Sequence, residues 1–570
     1  MRKKLLWSFL FLVLILGLLV FLLARYADRI VDPYVRSLLE HSKPMNHRID
    51  YRKIRVNLIG SLINIKDVRI YPDSSLVKDE NLWMEVSVDL IKLTDFGLKD
   101  LLLNKTLRVG DFVLLKPEVI VHIPLKIHRK TIDDVSEDTG ATKKALLLTN
   151  ITLNRMIISG GSFRLVQNDV LLASSDDIGF LAREISLVKN SMEEPIGYTY
   201  GDVKITLANI KLHSETGLYE MSLGKLSIDK IDSSLVLSGF SMKPKYDKKE
   251  FSGKLPYQTD RFDVEINSIE ISGIGYRSLL EGRPLRIAEI LLDGVKADIY
   301  RDKNVPFDFN RRPLFYNESF LKAPIPLIID TFIVINSSIL YNELAEGRSE
   351  PGLIRLEKFN LQSYNLTNHL QVDSLDYLMK FNVQARIMGE GPMNVEVVLP
   401  LESNLRNFKV SGSVGTMNIS PLNAMLEPSM NIKFKGGTVT RMTFAFQADD
   451  DFSKGWMEFL YKDLDVELMK KDQDKEKGFL SFLANTVANS NNPQPGKDDS
   501  KSVEIGFERD KTKGIIGYIW KTIQSGMVRT ILPISKYNID HKQVEKKKSE
   551  GDKPAKKKPE EDKSGKKKKK

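Results

Sequence analysis

The stretch Ile63-Asn64-Ile65-Lys66-Asp67-Val68-Arg69-Ile70 decides the fold, because it is the first of eight copies of one apolar pattern. In this octet, apolar residues occupy positions 1, 3, 6 and 8, and mostly polar residues stand between them. Alternation at period two places one face of a β-strand on apolar contacts and the other in water. The spacing does not follow one side of an α-helix of 3.6 residues per turn. The copies are Ile63–Ile70, Leu107–Leu114, Ile151–Ile158, Ile205–Leu212, Val264–Ile271, Leu285–Leu292, Leu327–Val334 and Ile354–Leu361.

The two-residue step in the middle of each octet shifts the alternation by one residue. A regular strand would therefore turn half of its apolar residues toward water. A β-bulge, or a bend of the strand at this step, returns all four residues to one face. Gly160-Gly161 and Asp293-Gly294 follow two of the copies, and such pairs are typical of tight hairpin turns. The sequence therefore predicts hairpin-connected strands with an irregularity at their centres.

The copies begin at irregular intervals of 21 to 59 residues, which does not match a strict solenoid period. Such intervals favour a meander of antiparallel strands joined by loops of variable length. The pattern extends over about 300 residues, whereas a single β-sandwich domain seldom exceeds about 250. We therefore expect a mostly β protein built on an elongated, curled antiparallel sheet, and a closed sandwich core is the alternative.

The N-terminus has the composition of a membrane anchor. Met1-Arg2-Lys3-Lys4 precede an apolar run from Leu5 to Ala24, and this run is long enough for a helix of about 30 Å, the thickness of a bilayer core. The basic leader favours a cytoplasmic N-terminus. A cleaved signal peptide would have a shorter apolar run and small residues where Leu22 and Arg25 stand. We expect residues 1–4 in the cytoplasm, residues 5–24 as a retained single span, and the remainder outside the cytoplasm.

Charge is concentrated at the C-terminus. The chain of 570 residues has a net charge of +10 and no cysteine, which excludes disulfides and thiolate sites. Residues 542–570 hold 14 lysines and six acidic residues, so the rest of the chain is nearly balanced. We expect residues 541–570 to form a disordered basic tail. The tail suits either anionic lipid head groups or plain solvation, and nucleic acid is not an expected partner.

A helix is predicted over residues 511–532. Its apolar residues recur every three or four positions, and an aromatic side chain and a lysine border them. Such a helix either lies in a membrane interface or caps the open end of the sheet. It belongs to a predicted amphipathic helical region at residues 471–540, which follows further strands of the same sheet at 366–470. The candidates for membrane contact are Ile516, Ile519, Trp520, Ile523 and Met527.

Signatures of catalysis are missing from the sequence. The seven histidines include no pair at helical spacing with a glutamate between them, as a zinc protease has. The chain has neither a phosphate-binding Walker loop nor the Gly-x-Ser-x-Gly turn of serine hydrolases. We therefore expect a protein that is not an enzyme and that holds no cofactor and no metal.

Several stretches together resemble the AsmA-like proteins of Gram-negative envelopes. Each motif alone is unspecific, and the resemblance depends on their order behind an N-terminal anchor. It extends over most of residues 1–530, and the lysine tail has no counterpart. The stretches are Tyr51–Val56 with Ile63–Val68, Asp330–Ile335, Gly436–Val439 and Gly455–Leu464.

The resemblance implies a repeating β-groove at residues 25–365, apolar inside and hydrophilic outside, which carries phospholipids between the inner and outer membranes. It also implies an inner-membrane protein whose bulk lies in the periplasm. An exposed acyl chain costs about 0.8 kcal/mol per CH₂ in water, and an apolar trough removes much of this barrier. About 30 strands of typical length and spacing would give a trough on the order of 140 Å.

We expect octet residues to line this groove, although the sequence leaves open which pair of each octet points inward. Two other functions remain open: assistance to outer-membrane protein assembly through a sheet edge, and a structural tether within the envelope. The candidate lining residues are the first pair of each octet, namely Ile63, Ile65, Leu107, Val109, Ile151, Leu153, Ile205, Leu207, Val264, Ile266, Leu285, Ile287, Leu327, Ile329, Ile354 and Leu356.

Overall fold

The fold is one large, curled β-sheet to which a few short helices and one long helix are attached. It is seen in a computed structural model of the chain. The structure describes residues 47–57, 61–73, 82–95, 106–123, 150–188, 197–214, 216–276, 278, 283–369, 378–401, 407–468, 489–496 and 502–531.

Strands follow one another along the chain as the repeated octets predict. The first twelve are β1 (His47–Asp50), β2 (Lys53–Asn57), β3 (Leu62–Pro72), β4 (Trp83–Thr94), β5 (Thr106–His122), β6 (Asn150–Gln167), β7 (Val170–Val188), β8 (Gly197–Thr199), β9 (Val203–His213), β10 (Tyr219–Asp229), β11 (Ser234–Pro244) and β12 (Arg261–Ser272). The others are β13 (Leu285–Asp293), β14 (Lys296–Asp302), β15 (Leu327–Leu344), β16 (Gly352–Thr367), β17 (Leu378–Ile387), β18 (Gly391–Pro400), β19 (Phe408–Val414), β20 (Met417–Asn418), β21 (Ile432–Ala448), β22 (Phe452–Leu468) and β23 (Ser502–Glu508).

Most neighbouring strands are antiparallel, but the expectation of a purely antiparallel sheet is wrong at two places. Strand β5 pairs with β6 in parallel, and β15 pairs in parallel with both β13 and β14. Strands β13 and β14 are two halves of one bent strand, since both also pair with β12. Asp293-Gly294 joins these halves, and Gly160-Gly161 lies inside β6, so neither pair forms the hairpin turn that the sequence suggests.

The predicted irregularity is present in all eight octets. In each one, a residue between the third and sixth positions is skipped in the pairing with a neighbouring strand. Backbone φ is positive at three of these residues, a conformation that Asn and Asp adopt more readily than most residues. Both apolar pairs of an octet therefore share one face of the sheet. The skipped residues are Asp67, Gly110, Asn154, Asn209, Asn267, Ala288, Asp330 and Lys358.

Many irregularities lie side by side and form a line across the sheet, which we term the crease. Asn209 faces Gly224, which faces Gly239, which faces Asn267. Gly239 and Gly294 have φ of 68° and 70°, where most other residues would be strained. Because the strands bend at one level, the sheet curls along its length. The crease passes through Asp67, Asp89, Lys116, Gly160, Asn209, Gly224, Gly239, Asn267, Gly294 and Asn336.

Helices pack on the sheet mainly near its C-terminal strands. They are α1 (Lys248–Gly253), α2 (Tyr316–Leu321), α3 (Asn423–Met430) and α4 (Ile515–Ile531). Helix α1 contacts β12 and β14, α3 contacts β15, β16 and β21, and α4 contacts β22 and β23.

Two predicted domain bounds fall on described strands, and several predictions fall outside the described residues. The boundary at 365/366 lies inside β16, and the region 471–540, expected to be helical, contains strand β23. Residues 1–4, the predicted span 5–24, and the tail at 541–570 lie outside the described ranges. Within those ranges, no helix combines the length and apolar character needed to cross a membrane.

Candidate functional site: the inner face of the sheet

The apolar residues of the octets continue from strand to strand as rows on one face, which we term the inner face. The first two rows lie on one side of the crease. Row 1 is Ile65, Ile91, Leu114, Ile158, Phe180, Ile205, Ile228, Leu235, Ile271, Ile290 and Phe332. Row 2 is Ile178, Leu207, Leu226, Leu237, Ile269, Leu292, Val334, Leu361, Val383, Val395, Gly412, Phe444, Met457 and Val503.

Two further rows lie on the other side of the crease, so the apolar band is up to four residues wide. Row 3 is Ile210, Leu223, Phe240 and Ile266. Row 4 is Met84, Val121, Leu165, Ala173, Leu212, Met221, Met242, Val264, Ala297, Ile339, Leu356 and Ile387.

The rows differ in burial along the sheet. On β9–β12, which we term the open stretch, most row residues are half-buried, and Leu212 is 37% exposed. Among the described residues of 197–272, the fully buried hydrophobic side chains are Leu223 and Phe251. On β17–β23 with α4, which we term the closed end, the row-2 residues Phe444 and Met457 are fully buried. The inner face is therefore a partly solvent-accessible trough in one region and a packed core in the other.

The opposite face is polar, and charged pairs connect its neighbouring strands. Such exposed pairs contribute little to stability, but their charges make this face hydrophilic. The hydrogen bond between Lys243 and Glu265 raises the pKa of the lysine and lowers the pKa of the glutamate. The pairs include Arg155–Asp111 at 2.7 Å, Lys204–Asp229 at 3.5 Å, Lys243–Glu265 at 2.7 Å and Arg286–Asp330 at 3.2 Å.

The structure separates the sixteen candidate lining residues into three groups. Six are fully buried: Ile63, Ile65, Val109, Leu153, Ile287 and Ile329. Eight are half-buried: Ile205, Leu207, Val264, Ile266, Leu285, Leu327, Ile354 and Leu356. Leu107 and Ile151 face each other in the parallel pairing of β5 with β6.

Two of these candidates belong to the closed core. Ile287 and Ile329 join the hydrophobic cluster that extends to α4, so they pack against protein side chains. The second pairs of the octets, which were not chosen as candidates, lie on the same inner face: Ile210 and Leu212 belong to rows 3 and 4, and Ile290 and Leu292 belong to rows 1 and 2. Sequence reasoning also missed β10 and β11, which carry no octet and yet supply Leu226, Leu237 and Phe240 to the open stretch.

Helix α4 lies where the sequence predicts a helix, but three of its five candidates for membrane contact do not face outward. Ile519, Ile523 and Met527 are partly buried against the core, because the helix rests on β22 and β23. Ile516 and Trp520 remain exposed. The buried side of α4 consists of Ile515, Tyr518, Thr522, Gly526, Thr530 and Ile531.

Polar bonds and close packing fix α4 against the sheet. The Thr522 and Ser453 hydroxyl oxygens lie 2.7 Å apart, and the Tyr461 hydroxyl donates to the Thr530 carbonyl at 3.3 Å. Gly526 permits close approach, since a Cβ there would lie 2.5 Å from Ile505 Cγ2. Burial raises the pKa of Tyr461 and of Tyr518. The closed end is thus a tightly packed unit without a trough.

Comparisons with known proteins do not assign the chain to a family. No protein-family model matches the chain, and no curated protein matches it at a significant level. Within the described ranges, no group of three or more His, Asp and Glu side chains is arranged to hold a metal ion.

Proposed function

We propose that the chain binds the acyl chains of phospholipids along the inner face and carries them between two membranes of a cell envelope. The observation that carries the proposal is the half-buried apolar band on β9–β12. An apolar surface of this continuity exposed to water is typical of a binding site. A lipid chain that covers it gains about 25 cal/mol for each Å² of apolar surface removed from water.

The polar outer face and the curled shape support the same proposal. Acyl chains would lie between the two sides of the crease, while lipid head groups stay in water at the rim. Because the rows continue from one strand to the next, a chain can shift by one strand without leaving apolar contacts. The closed end marks where this path stops, since its side chains already fill the inner face.

A charge on the open stretch tests the proposal. Leu226→Asp places a carboxylate in row 2 within the open stretch, and Ser227→Asp places the same group on the outer face one residue away. The full-length proteins are purified from cells, and phospholipid per protein is measured by extraction and mass spectrometry. We expect Leu226→Asp to lose most of the bound phospholipid and Ser227→Asp to retain it. Equal phospholipid in the two variants would contradict the proposal.

The same pair of variants separates the two alternative functions from lipid transport. A structural tether and an assembly factor that offers a sheet edge make no use of the inner face. If either function is the true one, Leu226→Asp supports envelope integrity in cells as well as Ser227→Asp does. Loss of envelope integrity in Leu226→Asp alone supports lipid transport.

A further inference from the structure

Two segments that are distant in sequence meet beside the closed end. They are residues 307–316, which precede and enter α2, and residues 509–521, which lead into α4. Lys513 Nζ lies 3.3 Å from the centroid of the Phe307 ring, and Phe307 contacts Phe309 edge to face at 5.2 Å. The Arg509 guanidinium lies 4.1 Å from the centroid of the Phe315 ring. These contacts join the segments into one surface, which we term the aromatic patch.

The aromatic patch exposes large apolar side chains although the core lies directly beneath it. Phe309 is 75% exposed and Ile516 is 62% exposed, the largest such values among hydrophobic side chains near the closed end. Five of the thirteen exposed large hydrophobic residues in the described part of the chain lie in these two segments. They are Phe309, Leu314, Tyr316, Ile516 and Trp520.

The patch is also basic. Its two segments contain six basic and two acidic residues. Arg509 is engaged by Asp450, and Lys511 by Asp450 and Asp451. The Asp510 carboxylate interacts electrostatically with Arg312 and Lys513, but no carboxylate of the described residues lies within ion-pair distance of Arg311, Arg312 or Lys513. Arg312 Nη1 instead donates to the carbonyls of Phe309 at 3.0 Å and Arg311 at 2.7 Å, which holds the loop that presents Phe309.

Helical spacing aligns the exposed residues of the second segment. Ile516, Gly517, Trp520 and Lys521 lie on one side of α4 and are all exposed, as is Lys513 just before the helix, whereas the side of α4 that contains Tyr518 is buried. One side of α4 thus belongs to the core. The other side is connected to Phe307 and Phe309 through Lys513, which precedes the helix.

We propose that the aromatic patch docks on the surface of a bilayer that contains anionic lipid. Amphipathic aromatic rings favour the interface between acyl chains and head groups, and arginine and lysine favour phosphate oxygens. The excess of basic over acidic residues in the patch complements an anionic head group, and a neutral surface offers it no such partner. This docking site lies on the outside of the protein and does not depend on lipid in the trough.

The absence of cysteine from the chain permits a local test on the full-length protein. Phe309→Cys and Ile516→Cys each place one environment-sensitive fluorophore in the patch. Ile231→Cys, at a residue 70% exposed between β10 and β11, is the matched control. Vesicles of phosphatidylglycerol with phosphatidylcholine are compared with vesicles of phosphatidylcholine alone.

We expect fluorescence at positions 309 and 516 to rise severalfold and shift to shorter wavelength with the anionic vesicles, while position 231 stays unchanged. Membrane attachment through another part of the chain does not produce this dependence on position. No rise in the patch, or an equal rise at position 231, overturns the proposal. Unchanged fluorescence at positions 309 and 516 with both kinds of vesicle would favour a protein partner instead.

Charge reversal gives a second readout. Arg311→Glu with Lys513→Glu, introduced into the Ile516→Cys protein, should lower the fluorescence response to anionic vesicles at least fivefold. Lys225→Glu with Lys243→Glu, two lysines of the open stretch, should leave the response unchanged. Phospholipid that copurifies with the patch variant should remain at the wild-type level, so failure of docking and failure of lipid binding are distinguished. An unchanged vesicle response in the patch variant contradicts the proposal.

Discussion

The open stretch and the closed end share row 2 and yet differ in what covers it. Leu226 and Leu237 in the open stretch are half-buried, whereas Phe444 and Met457 at the closed end are fully buried. At the closed end, α4 rests on β22 and β23, and a run of aromatic contacts connects Phe408 to Tyr518 at 5.8 Å. The same alternation of residues therefore gives either an accessible surface or a core, and the difference lies in the covering helix.

The crease distinguishes the two regions as well. It passes through β9–β12, where Asn209, Gly224, Gly239 and Asn267 adjoin one another. Strands β17, β18 and β19 pair without any skipped residue. Irregular pairing at one level thus bends the open stretch, whereas the register shifts of the closed end lie between β21 and β22.

The largest expected effect comes from placing the same charge in row 2 of each region. Met457→Asp buries an unpaired carboxylate and should lower the free energy of unfolding by more than about 4 kcal/mol, enough to prevent folding of the closed end. Leu226→Asp leaves its carboxylate partly in water and should cost about 1–2 kcal/mol. Urea-induced unfolding monitored by fluorescence measures both. Similar costs would show that the two regions do not differ in burial.

Helix α4 allows a comparison between its two sides. Gly526→Ala brings a methyl group against Ile505 and Met457 and should cost about 1–3 kcal/mol. Gly517→Ala, on the exposed side with no atom nearby, should stabilise the helix by about 0.5–1 kcal/mol. Thermal unfolding of the two variants shows directly whether each substitution raises or lowers stability. Destabilisation by Gly517→Ala would mean that both sides of α4 are covered.

A smaller effect is expected from the hydroxyl contact between Thr522 and Ser453. Thr522→Val keeps the shape of the side chain and removes the contact, which should cost about 1 kcal/mol. Thr206→Val, in the open stretch, should change stability by less than about 0.5 kcal/mol. Both values come from urea unfolding. Equal values would indicate that the contact does not hold α4 on the sheet.

The smallest effect concerns alkaline pH. Burial raises the pKa of Tyr461 above the ordinary value of 10.0, so the folded state favours the neutral phenol. The associated stability is fully present below pH 10 and is lost as the pH rises above it, because the unfolded chain ionises first. Tyr461→Phe should therefore lose less stability than the wild type between about pH 8 and about pH 11. Tyr257→Phe, at an exposed residue, is the control and should behave as the wild type does.

Much of the sheet is predictable from the sequence, because the octet spacing determines both the strand and its central irregularity. Asp67 and Asn209 show why, since both stand at the skipped position and tolerate positive φ. The same tolerance means that Gly160-Gly161 and Asp293-Gly294 are compatible with either a hairpin turn or a bend within a strand, and the sequence does not distinguish the two. The parallel pairing of β5 with β6 depends on contacts between distant segments, which period-two alternation does not encode.

The side of α4 that packs on the sheet was not predictable from its apolar stripe. The buried side includes Thr522, Gly526 and Thr530, residues whose small size or hydroxyl groups suit close contact with β22 and β23. Hydrophobicity alone therefore selected Ile519, Ile523 and Met527, which lie at the edge of the contact between α4 and the sheet. The aromatic patch was also missed, since its two segments come together only in the fold.

Photo-crosslinking at two adjacent residues of β9 tests the central claim most directly. A photoreactive phenylalanine analogue replaces either Leu212, on the inner face in row 4, or Lys211, on the outer face. The full-length proteins are irradiated in cells, and covalently attached phospholipid is detected by mass spectrometry. We expect phospholipid adducts at position 212 and none above background at position 211. Adducts at neither position, or equally at both, would contradict the proposal that acyl chains occupy the inner face.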